Sequence, residues 1–225
     1  TCCRHMSRIT QPFIIVTGGP GYEEIDSVRR ITNFSTGKLA TTLANFLTEA
    51  GCSVCSLISD AAPYSGVNKA RWVIPFSNSK DILEKLKKFE TKQVRAVFHA
   101  AALSDFTVAK VESRSGTKLS RTGKILSTES PIIYLKPSPK VIKHLRTLFP
   151  KAFLVGWKYE VTGKPMGVIQ KGTQQILLNK TDLCVVNGPA YGNGFGVVND
   201  EGLAGHVSND KALFRILLKN LSRHR

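Results

Sequence analysis

The sequence predicts an α/β fold: a Rossmann-like, doubly wound and mostly parallel sheet with helices on both faces, plus a polar loop or flap. Three observations carry this. Apolar, β-rich runs alternate with helical patterns along the chain, the signature of a parallel sheet covered by helices. The 225 residues, 42% of them apolar, suffice for one sizeable core. One long polar segment interrupts the alternation and has no partner in it.

In order, FIIVT (13–17) reads as a buried strand and LATTLANFLTEAG (39–51) as the helix after it. CSVCSLIS (52–59) and RWVIPF (71–76) are the next strands, followed by a helix in SKDILEKLKKFE (79–90) and a strand in VRAVFHAAA (94–102). In the second half PIIYLK (131–136) joins the sheet ahead of a helix in PKVIKHLRTLF (139–149). The strand AFLVGW (152–157), a helix around VIQKGTQQILL (168–178), the strand DLCVVN (182–187) and a closing helix, NDKALFRILLKNL (209–221), complete the series. Residues 7–225 are thus expected to form one domain. TCCRHM (1–6) reads as vector-derived or disordered sequence ahead of Met6.

Two segments depart from the rhythm. Residues 103–130 are basic and hydroxyl-rich, with too little apolar periodicity for a core element, and loops of that length act as lids or stay disordered. NGPAYGNGFGVVNDEGLAGHV (187–207) is glycine-rich and predicts turns joining short strands.

Thirty-two basic against 16 acidic residues give a formal charge of +16, which attracts polyanions without choosing among them. The lysines are scattered over helical faces and no aromatic-interleaved basic motif occurs, so a general field is favoured over a nucleic-acid surface. Five cysteines, an odd number with Cys2 and Cys3 adjacent, argue against a disulfide framework. Cys52 and Cys55 form a C-x-x-C inside a strand pattern with no second ligand pair, and the five histidines lack ligand spacing, so no protein-held metal is expected. No run approaches the roughly 18 apolar residues of a membrane span, and a cytoplasmic protein is expected.

In open α/β sheets ligands collect beyond the carboxyl ends of strands, where loops and helix starts present backbone N–H groups. The first such place is VTGGPGYEEIDSVRRITNFSTGK (16–38). Gly18, Gly19 and Gly21 allow close backbone approach, and Ser35 and Thr36 stand where an N-cap would, ahead of Gly37 and Lys38. This is neither a dinucleotide fingerprint nor a Walker A, because some twenty residues separate strand from helix. That loop, and the lack of a tyrosine–lysine pair four apart, disfavour a nicotinamide-dependent reductase.

The ordered set Asp26, Arg29, Asn33, Ser35, Gly37, Lys38 resembles the signature of phosphopantothenate–cysteine ligases, T-x-G-x-x-x-E-x-[IL]-D-x-V-R-x-[IL]-[ST]-N-x-S-[ST]-G-K, which Thr17–Lys38 matches without a gap. HAAALSDFTV resembles that family's AAVADY turn, TGKILS its lysine-bearing segment, PSPKVI its helix start and LVGWKYEV its VGF strand. The resemblance implies that the carboxylate of 4′-phosphopantothenate attacks the α-phosphate of CTP or ATP, with Mg²⁺, and that L-cysteine then displaces the nucleotide to form an amide.

By position the resemblance makes Lys124 the triphosphate and transition-state cation and Asn33 the amide that holds the acyl nucleotide. Arg29 becomes a structural or substrate-orienting partner of the loop. Gly18, Gly19, Ser35, Gly37, Lys38, Ala100, Ala101, Ala102, Asp105, Ser138, Pro139, Lys140 and Trp157 become nucleotide-binding residues. The resemblance further implies a homodimer whose 103–130 segment reaches the neighbouring subunit. Bacterial members are often fused behind a flavin-dependent decarboxylase, so a stand-alone or excised ligase is expected here.

The chain also departs from the pattern. Gly21 replaces a threonine, Trp157 the usual Phe, and QQILLNKTDLCVVNGP lacks the lysine of the family's phosphate clamp, leaving Lys171 and Lys180 nearest. A homologue that binds nucleotide or nucleic acid without turnover is the alternative this leaves.

Overall fold

The computed structural model describes residues 11–224; the reading of residues 1–6, and of Cys2 and Cys3, falls outside the described residues. The first half comprises β1 (Phe13–Gly18), β2 (Tyr22–Glu24), β3 (Arg30–Thr32), α1 (Lys38–Glu49), β4 (Val54–Ser59), β5 (Trp72–Phe76), α2 (Ser79–Leu86) and β6 (Val94–His99). The second comprises β7 (Phe106–Glu112), β8 (Ile132–Pro137), α3 (Ile142–Leu148), β9 (Phe153–Tyr159), α4 (Pro165–Asn179), β10 (Leu183–Asn187), β11 (Phe195–Asn199), β12 (Gly202–Val207) and α5 (Asp210–Arg223).

The main sheet has eight strands in the order β12-β11-β10-β9-β6-β1-β4-β5. β10 through β5 pair in parallel, while β11 and β12 add an antiparallel edge built from the glycine-rich segment. Residues alternate between faces along a strand, so a run buried on both sides reads as continuously apolar. Phe13 and Ile15 pack toward α2 and α3 with Leu86, Leu145 and Phe149. Ile14 and Val16 pack toward α1 and α5 with Leu43, Leu47, Leu213 and Leu217. Helix α4 covers β10 and β11 through Val168 and Ile176. From β1 the chain winds outward to β4 and β5, then returns to the other side of β1 with β6, β9 and β10. The switch of direction therefore lies between β1 and β6.

Two expectations are corrected. PIIYLK does not enter the main sheet: β8 pairs antiparallel with β7 in a separate two-stranded sheet. Residues 103–130 are not featureless either, because β7 lies within them and Val108, Val111 and Ile125 form a small core with Ile25, Ile31, Leu119 and Ile133. The strand escapes a period-two reading because its register shifts between Val108 and Lys110, which puts the two buried valines three apart. Within the long first connection, β2 and β3 form a hairpin that supplies Ile25 and Ile31 to that same core.

Candidate functional site

At the switch point, beyond the carboxyl ends of β1 and β6, lies a cavity of about 620 Å³. Open α/β sheets bind ligands at this place because the loops diverge there and leave a crevice. The two strand ends are stitched together by hydrogen bonds from Ala100 N–H to Thr17 O (3.1 Å), Ala102 N–H to Gly19 O (3.0 Å) and Gly21 N–H to Ala102 O (3.1 Å). The signature loop is thereby held against the alanine turn.

Helix α1 begins at the cavity wall. A Cβ on Gly18 would stand 2.0 Å from Ala40 Cβ, so the helix reaches its position only over a bare backbone. Gly18→Val is expected to cost about 1–3 kcal/mol by overpacking and to lower Tm by roughly 2–12 °C, read by thermal denaturation. The N-cap is Gly37, at φ 78° in the left-handed region, and not Ser35 or Thr36 as the sequence suggested. Thr36 Oγ1 instead accepts from Lys38 N–H (3.2 Å). A glycine cap bends the chain so that Ser35, Thr36 and Gly37 all line the cavity, with no acidic residue in the first helical turn to oppose an anion.

Of the residues singled out in the sequence, Gly19, Asn33, Ser35, Gly37, Ala100, Ala101, Ala102, Asp105, Pro139, Lys140 and Trp157 line this cavity. Gly18, Lys38 and Ser138 each adjoin lining residues in the chain without lining it themselves. The Asn33 side-chain amide donates to Ala102 O (3.3 Å) and Leu103 O (3.0 Å), bridging the signature loop to the alanine turn. Lys140 forms an ion pair with Asp105 at the rim.

Arg29 and Lys124 stand apart from the lining. Arg29 donates to Asp26 Oδ2 (2.6 Å) and, through both terminal nitrogens, to Ile125 O (3.2 Å each), so its guanidinium is a clamp between the hairpin loop and the 103–130 arm. Lys124, next to Ile125, is exposed. Asp26 is 2% exposed. Burial acts to raise its pKa, but the N–H groups of Val28, Ile125 and Arg29, with the Arg29 charge, outweigh it and hold the carboxyl below its ordinary value.

Among the cavity residues that sequence reasoning missed are His99, Lys158, Gln175 and the fully exposed Phe34. Gln175, on α4, lies over Gly156, where an added Cβ would meet its Nε2 at 2.3 Å, and it donates to Cys184 Sγ (3.3 Å). A glycine inside the buried run LVGW was the signal for such a close approach. Lys158 pairs with Glu160 (3.2 Å), which also takes Lys171 (2.6 Å). The Lys171 hydrogen bond, against burial and with help from Lys158, holds the Glu160 carboxyl below its ordinary range. Neither Lys171 nor Lys180 reaches the cavity; Lys180 closes the far end of α4 at φ 53°.

His99 is buried at the end of β6, its Nδ1 2.8 Å from Thr17 Oγ1. Burial pushes its pKa down to about 4, so the ring is neutral at pH 7 and adds no charge to the cavity. The cavity's cations are Lys140 and Lys158. Among the described residues no three of His, Cys, Asp and Glu gather to hold a metal ion, and no helix is long and apolar enough to cross a membrane.

Residues 9–214 match the family described as DNA/pantothenate metabolism flavoprotein C-terminal domain. The coenzyme A biosynthesis bifunctional protein CoaBC of Thermococcus kodakarensis is 31% identical over 178 residues, 77% of this chain and 40% of that protein. The protein of the same name from Bacillus subtilis is 28% identical over 185 residues, 81% of this chain and 42% of its own. The chain thus spans about two fifths of the length of these curated relatives. The crystal structure of the DNA/pantothenate metabolism flavoprotein from Streptococcus pneumoniae superposes with a TM-score of 0.80 at 25% identity, covering 95% of this chain and all of that one.

Proposed function

Because the chain belongs to the DNA/pantothenate metabolism flavoprotein C-terminal domain family, we propose that it is a phosphopantothenate–cysteine ligase of coenzyme A biosynthesis. In this reading a carboxylate oxygen of 4′-phosphopantothenate attacks the α-phosphorus of CTP or ATP, pyrophosphate leaves, and an acyl nucleotide remains. The amine nitrogen of L-cysteine then bonds to the acyl carbon, the nucleoside monophosphate departs with the bonding electrons, and the amine gives up its proton.

The observation that carries the reading is a single cavity that gathers the signature loop, the alanine turn and two lysines. Two anions must meet before the first bond forms, which demands fixed positive charge and oriented N–H donors where charge builds up. The start of α1, Lys140 and Lys158 meet that demand once an incoming anion takes the two lysines from their carboxylate partners, Asp105 and Glu160. Asn33 sits where its amide can face an acyl phosphate, and Ala100–Ala102 leave room for a planar base. Mg²⁺ enters as the nucleotide's counter-ion and so as part of the substrate.

Lys124 completes the site in a cytoplasmic homodimer whose 103–130 arm reaches the neighbouring cavity. Exposed Phe106, Ile132, Tyr134 and Leu135 on the β7–β8 arm support that contact. Incubation with 4′-phosphopantothenate, L-cysteine, Mg²⁺ and either nucleotide tests the reading. It expects a product with the mass of the two substrates less one water; intact substrates with both nucleotides would overturn it.

One observation favours the alternative, a homologue that binds nucleotide without turning it over: α4 presents neutral Gln175 to the cavity while Lys171 is engaged by Glu160. Saturable nucleotide binding without any amide product would select it.

A further inference from the structure

Asp26 belongs to neither the cavity nor the surface. Its carboxylate is buried, yet every hydrogen bond it accepts serves the geometry of two loops distant in sequence. Oδ1 takes the N–H groups of Val28 (2.9 Å) and Arg29 (2.8 Å), which shapes the turn of the β2–β3 hairpin. Oδ2 takes Arg29 Nη1 (2.6 Å) and, from 99 residues away, Ile125 N–H (3.1 Å). Since Arg29 also donates twice to Ile125 O, the Asp26–Arg29 pair grips both backbone polar groups of Ile125, as a neighbouring strand would. The Ile125 side chain is buried in the small core beneath. Four residues before Ile125, Arg121 donates to Ile25 O (3.0 Å), Glu24 O and Val108 O, so the segment carrying Lys124 is tied down on both sides.

We propose that Asp26 is a positioning residue: through Ile125 it fixes the backbone from which Lys124 projects, and so sets where the cation of the reaction stands. This rests on the ligase reading, in which Lys124 acts on the triphosphate. A buried carboxylate gripping one backbone unit is a costly device for stability alone, because a charge must be held away from water. It does hold one loop at one register. Lys124 itself is exposed.

The test compares wild type, Asp26→Asn, Lys124→Gln and the double variant in nucleotide-dependent pyrophosphate release, alongside trypsin cleavage after Arg121 and Lys124. Misplacing a reacting group by about 1 Å can cost on the order of 100-fold. Asp26→Asn is expected to lower kcat by roughly 10- to 100-fold with little change in nucleotide KM, and the double variant to be no slower than Lys124→Gln alone. Losses that multiply in the double variant, or an unchanged kcat, would overturn the proposal.

The protease arm needs no activity. Faster cleavage at Lys124 in Asp26→Asn supports the latch, and equal rates sink it, even if wild type releases no pyrophosphate and the ligase reading itself fails. Should Asp26→Asn not fold, amide exchange in wild type decides: an Ile125 N–H much slower than that of Gly123 supports the latch, and one equally fast refutes it.

Discussion

Lys124→Gln is expected to lower pyrophosphate release by about 100- to 1,000-fold, the usual loss when one donor to a transition-state oxyanion is removed, and to leave stability nearly unchanged. The asymmetry follows from placement. Lys124 is exposed, and its neighbours Ile125 and Arg121, not its own side chain, anchor the segment. A surface substitution away from such anchors shifts stability by only about 0.5 kcal/mol. A glutamine keeps polarity on a side chain one bond shorter but loses the charge that, in the ligase reading, offsets the triphosphate. Steady-state kinetics beside a thermal melt separate the two effects. A variant that loses activity only in proportion to lost fold would remove Lys124 from the chemistry.

A second large effect concerns pH. His99 is neutral in the folded protein, with its pKa pushed down to about 4 by burial, and returns to an ordinary value near 6.5 when the chain unfolds. Between these values the unfolded chain binds the extra proton, so stability rises with pH across the window and is lost as pH falls through it. At pH 5 the fold should be about 2 kcal/mol less stable than at pH 7.5 from this one group, approaching about 3 kcal/mol at pH 4. His99→Gln should flatten that part of the profile in urea titrations while keeping a polar partner for Thr17. A variant as acid-sensitive as wild type between pH 7 and 5 would show that another group sets the slope. Below that window the lowered carboxyls of Asp26 and Asp81 add a further loss as they take up protons.

Much of the sheet was legible because burial on both faces writes itself as runs such as FIIV and CVV, with helical periods between them. The β7–β8 arm was not. A bulge shifts Val108 out of phase with Val111, and β8 leaves most of its residues exposed, so neither strand carries an apolar alternation. The candidate site divides in the same way. The loop from Thr17 to Lys38 stands out as an ordered set of residue types, and the cavity lies beside it. Lys158 enters because strand order places β9 beside β6, and Gln175 because α4 packs over Gly156 of β9; nothing local in α4 announces that. The bond between Asp26 and Ile125 spans 99 residues and has no sequence pattern at all.

The most direct test of the central claim is pyrophosphate release in the absence of cysteine, with Mg²⁺ and CTP or ATP, with and without 4′-phosphopantothenate, for wild type and Asn33→Ala. The account predicts release by wild type with one of the nucleotides only when the acid is present, strongly reduced in Asn33→Ala, whose truncated side chain can no longer bridge the signature loop to Ala102 and Leu103. Release independent of the acid, or none from the folded protein with either nucleotide, would contradict it.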